Sequence, residues 1–128
     1  MILADFDGEQ QVEREDDLLA RLREARHGEF GHFILQYVNG GPSLWVQING
    51  DVAYLHYFRK DPGDHAGFQA EGMTPPGCDE FVTICLPGGQ RDPVQREQLV
   101  SVESAYQAAV EFMRNPAELP PTVTWTEL

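Results

Sequence analysis

Apolar residues recur along this chain with two periods, one near 3.6 and one of 2. Leu18, Leu19, Leu22 and Ala25 form a helical stripe. Asp16 and Asp17 stand where a helix dipole favours acids, Arg21, Arg23 and Arg26 fall toward its other end, and Gly28 offers a stop. Val102, Ala105, Tyr106, Ala109, Phe112 and Met113 give a second stripe. Ser101 is placed as its N-cap, Glu103 lies in its first turn, and Asn115-Pro116 closes it.

Between these helices the period falls to 2. Residues 31–38, 43–48 and about 51–58 are predicted strands, separated by Asn39-Gly40-Gly41-Pro42 and by a tight turn at Asn49-Gly50 or Gly50-Asp51. Loops of even length pair positions whose numbers sum to an odd value, and this parity assigns the faces. Phe33, Leu35, Tyr37, Leu44, Val46, Ile48, Ala53, Leu55 and Tyr57 share a core face. His32, Ile34, Gln36, Trp45, Gln47, Val52, Tyr54, His56 and Phe58 share the other, which mixes large aromatics with amides and histidines.

The remaining pattern is weaker. Residues 1–15 are polar and acidic and are expected to lie extended or loosely ordered. A short strand is expected around Phe68, another at Phe81–Leu86, and a last one at Thr122–Thr126, whereas residues 90–100 show no regular pattern. The order α-β-β-β-(β)-β-α-β describes an α+β fold: an antiparallel sheet of about five to six strands with two helices packed on one face. The 128 residues suffice for one domain, 1–128.

Composition narrows the function. Twenty-one acids against nine bases give a net charge of -12, and residues 30–50 carry no formal charge. An acidic surface argues against direct nucleic-acid or anionic-membrane binding, both of which need a basic footprint, and suits a basic protein partner. No basic and apolar leader and no apolar run of membrane-spanning length is present, so a soluble cytoplasmic domain is expected. Cys78 and Cys85 have neither metal nor redox spacing, and Cys85 is placed in an apolar run as a small core residue.

Catalytic signatures are thin. No phosphate-cradling loop, nucleophile elbow or metal-ligand spacing is present; Asp61, Asp64 and His65 share a loop but fit a solvated acidic turn better than a metal site. No cofactor is implied. His32 and His56 fall on one sheet face with Gln36, Gln47 and Tyr54, which leaves a small-molecule-binding domain or enzyme as the competing class. Interaction chemistry is better represented. Trp45 and Tyr54 are candidate aromatic anchors, and Asp51, Asp61, Asp64, Glu71, Asp79 and Glu80 are candidates for an acidic contact rim.

The last third carries a family likeness. Pro87-Gly88-Gly89-Gln90, Asp92-Pro93-Val94, Leu99-Val100-Ser101-Val102, Ala105-x-x-Ala108-Ala109-x-x-Phe112 and Pro121-x-Val123-x-Trp125-x-Glu127 follow one another in an order that resembles the immunity protein type one family of bacterial polymorphic toxin systems. The hairpin Leu44–Gln47 through Gly50-Asp51 to Ala53–Leu55 fits as well. One departure is the Asn115–Pro120 turn, where such proteins often carry Gly-x-x-Pro. The resemblance implies a non-enzymatic α+β protein that binds and neutralises a cognate toxin by blocking its active site. The implied partner is a secreted or contact-delivered protein, a nucleic-acid deaminase or other nuclease, and basic. Trp125 is expected to be a structural anchor between helix and sheet.

Overall fold

The computed structural model describes residues 1–60, 66–72, 80–85 and 90–128. Its centre is the predicted meander: β3 (Phe30–Gln36), β4 (Ser43–Asn49) and β5 (Val52–Phe58), antiparallel throughout. Asn49 pairs with Val52, so the tight turn is Gly50-Asp51, and Gly50 takes the positive φ of 61° that its first position requires. The other connection differs from expectation. Gln36 pairs with Ser43, which lengthens that loop to 37–42. Tyr37 leaves the ladder, lays its ring near Phe112 and donates its hydroxyl to the Met113 carbonyl, ending up 42% exposed rather than in the core. Parity survives because the loop is still even, so the remaining face assignments hold.

Phe33, Leu35, Leu44, Val46, Ile48, Ala53, Leu55 and Tyr57 are fully buried, and both helices cover them. From α1 (Glu15–Glu24) come Leu18 and Leu22, and from α2 (Val102–Arg114) come Ala105, Ala108, Ala109 and Phe112. Small alanines at helical spacing let α2 lie close on the sheet while Phe112 fills the space beside Tyr57. The start of α2 is fixed as predicted: the Ser101 hydroxyl accepts from Ser104 N at 3.1 Å. Beyond the end of α1, Arg26 donates to the Gly50 carbonyl at 3.0 Å and to the Tyr106 hydroxyl, joining α1, α2 and the β4–β5 turn.

The sheet is larger than the sequence suggests. Among the described residues it has eight strands, in the order β10 (Trp125–Glu127), β6 (Phe68–Ala70), β5, β4, β3, β1 (Ile2–Asp5), β2 (Gly8–Gln11), with β9 (Val100–Ser101) beside the start of β5. The opening residues are a hairpin, β1 (Ile2–Asp5) with β2 (Gly8–Gln11), and are not loose. Leu3 and Val12 enter the core, and Arg21 holds the almost fully buried Asp5 carboxylate at 3.0 Å. This hairpin escaped the pattern because all four residues of β2, a sheet edge, face solvent. At the opposite edge lie β6 (Phe68–Ala70) and β10 (Trp125–Glu127). The Trp125 indole donates to the Pro120 carbonyl at 2.8 Å and its ring lies 6.2 Å from that of Tyr57, so Trp125 links the segment that follows α2 to the sheet.

Residues 90–100, expected to be irregular, complete a separate two-stranded ribbon: β7 (Phe81–Cys85) and β8 (Arg91–Gln95). The ribbon crosses the sheet face opposite the helices, over β3 and β4. Ile84, Val94 and Leu99 bury themselves there against Val52, Tyr54 and Val82. Cys85 is only half-buried, because residues 81, 83 and 85 take the other side of the ribbon's alternation.

Candidate partner-binding surface

The mixed face of the sheet positions both predicted anchors. Trp45 pairs with His56, and Tyr54 pairs with Gln47 on the neighbouring strand, so the two aromatics stand diagonally on one face. Where the ribbon rises from this face it leaves a cleft of about 390 Å³. Trp45, Gln47, Tyr54 and His56 form its floor, Ile84, Asp92, Pro93 and Val94 its roof, and Gln98 its end. The aromatics are held rigidly. The Trp45 indole donates to Ser43 Oγ at 3.2 Å and its ring lies 5.5 Å from that of Phe58. The Tyr54 hydroxyl donates to Gln69 Oε1 at 2.9 Å, and burial pushes its phenol above the usual tyrosine range.

The two histidines share a face without sharing a site. His56 stacks on Phe58 and donates its Nε2 proton to the Ala66 carbonyl, 2.6 Å away, at the cleft. His32 is no part of the cleft wall: it is 2% exposed, between Phe6 and the edge of Trp45. Burial holds its imidazole below the usual 6.5, and among the described residues its Nε2 has no hydrogen-bond partner. The Gln47 side-chain amide lies 3.5 Å from its Nδ1. A neutral imidazole sealed among rings is poorly placed for proton transfer to a ligand.

The acidic residues distribute unevenly. Glu80 stands beside the short helical turn Arg96–Gln98 that ends the cleft, whereas the Glu71 carboxylate accepts from Thr126 Oγ1 of β10 at 3.0 Å. Gly72, next to Glu71, lies so close to the Glu97 carbonyl that a Cβ there would sit 1.8 Å from the oxygen, so only glycine fits. Glu80 is already paired, its Oε2 lying 3.0 Å from Arg96 Nε. Asp51 is exposed in the β4–β5 turn, where its carbonyl accepts from Val102 N at 2.8 Å. Asp61, Asp64 and Asp79 lie outside the described residues, as do His65 and Cys78.

Asp92 and Gln98 are cleft residues that sequence reasoning missed. Arg91-Asp92-Pro93 reads as a turn, and no alternation marks Asp92 as facing the sheet.

Comparison with known proteins supplies the context for this surface. A family model described as Immunity protein Imm1 matches residues 8–127. The double-stranded DNA deaminase immunity protein of Burkholderia cenocepacia (strain H111) is 29% identical over 129 aligned residues, covering the whole of both chains. The match spans nearly the full fold, from β2 to β10, and the chain belongs to the Immunity protein Imm1 family.

Proposed function

We propose that this chain binds and neutralises a nucleic-acid deaminase toxin by covering the toxin's active site, without performing any turnover itself. The observation that carries this reading is the end-to-end similarity to a double-stranded DNA deaminase immunity protein within the same family. The charge of -12 supports it independently, because an enzyme that acts on nucleic acid needs a basic surface and an acidic inhibitor is steered toward one. Trp45 and Tyr54 act as anchors, with Asp51, Asp61, Asp64, Glu71, Asp79 and Glu80 as the steering rim. Among the described residues no helix is long and apolar enough to cross a membrane, and the cytoplasm of the toxin-producing cell is where such an inhibitor is needed.

The test is a titration of the purified chain into a deamination assay of the toxin encoded in the adjacent reading frame. Activity falls linearly to zero at one molar equivalent if the active site is covered. Full activity in excess inhibitor overturns the reading.

A further inference from the structure

We infer that the cleft between the β4–β5 face and the ribbon receives an arginine side chain from a loop of the toxin, with Asp92 as its carboxylate partner. This deepens the reading above and rests on it. Val82 pairs with Val94 and Ile84 with Asp92, so these four share the row that faces the sheet. Three of them are apolar, and Ile84 and Val94 are 3% and 8% exposed. Asp92 is the exception, a carboxylate on an inward row above an aromatic floor. Among the described residues neither a hydrogen bond nor an ion pair reaches it. Asp92 is half-buried, and among the described residues no lysine or arginine lines the cleft, so the carboxylate is open to a counter-ion from a partner. Arg96 at the nearby turn is paired with Glu80, and Arg91 stacks on Phe30.

The floor selects the cation. Trp45 and Tyr54 offer ring surface that attracts a cation, and a planar guanidinium can stack there while forking toward a carboxylate. The amides of Gln47 and Gln98 add acceptors for its remaining protons. A volume of about 390 Å³ admits a loop tip and not merely one side chain. The occupant is a toxin loop because of charge complementarity: arginines that grip phosphates are the groups such an enzyme presents around its substrate cleft. Capturing one removes a substrate contact at the same time.

The experiment measures binding of the adjacent-frame toxin, inactivated by substitution of its catalytic residue, to the unaltered chain and to Asp92→Asn, Asp92→Arg and the exposed control Asp16→Asn. Asp92→Asn is isosteric and keeps the melting temperature, yet raises Kd about tenfold or more, chiefly through faster dissociation. Asp92→Arg weakens binding further, and Asp16→Asn binds as the unaltered chain does. If the unaltered chain forms the complex and both Asp92 variants bind equally tightly, the cleft assignment is wrong and the inhibitor reading stands. If the unaltered chain forms no complex, the inhibitor reading fails and the cleft assignment falls with it.

Discussion

The side-chain amide of Asn49, at the end of β4, donates to the backbone carbonyl of Thr83 in β7 at 2.7 Å. It ties the ribbon to the sheet at one end, while the small cluster around Ile84, Val94 and Leu99 supplies the apolar contact. Asn49→Ala is expected to cost roughly 0.5–1.5 kcal/mol. The loss falls on the ribbon first, so amide exchange accelerates in 81–85 and 91–95 more than in β3, β4 and β5. Equal acceleration throughout would show that the ribbon and sheet open together.

Phe112 sits at the contact between α2 and the sheet, fully buried, with ring neighbours Tyr37 and Tyr57. Phe112→Ala is expected to destabilise by roughly 3–5 kcal/mol through lost burial and the cavity left behind. Phe81, 57% exposed, provides the contrast: Phe81→Ala should stay within about 0.5 kcal/mol of the parent. Urea midpoints of the two variants check this directly.

His32 gives stability a pH dependence of known sign. Burial holds its folded pKa below the 6.5 of the unfolded chain. Below that pH the unfolded state therefore binds more protons than the folded one, and stability falls as the solution is acidified. The contribution is fully present above about pH 6.5 and is lost as the pH drops through the folded value. Urea midpoints at pH 7.5 and pH 5.5 should differ less in His32→Leu than in the parent. An unchanged difference would mean that His32 accepts a proton in the fold.

Charge steering is testable at the rim. Asp61→Lys together with Asp64→Lys should slow association with the toxin at low salt, with the effect shrinking as ionic strength rises. An unaltered rate constant places the rim elsewhere on the surface.

The three central strands were legible because their turns are short and even, so one parity rule sorts Phe33, Val46 and Leu55 from His32, Trp45 and Tyr54. Both helices were legible because Leu18 and Leu22, and Ala105 through Phe112, keep strict helical spacing. The eight-stranded sheet was not, because β2 exposes both of its faces and β9 and β10 are too short to show a period. Strand β8 was hidden for a more telling reason. Pro93 denies it a ladder donor, and Asp92 breaks the inward alternation. Asp92, one of the two residues that disguise the strand, is the carboxylate of the cleft. Trp45 and Tyr54 could be placed together from sequence, but the ribbon that turns their face into a cleft could not.

Growth of a bacterial host measures neutralisation most directly. The toxin from the adjacent reading frame, expressed alone, should stop the growth of a bacterial host, and co-expression of this chain should restore growth and yield a one-to-one complex on purification. Continued arrest with the two proteins eluting separately would contradict it.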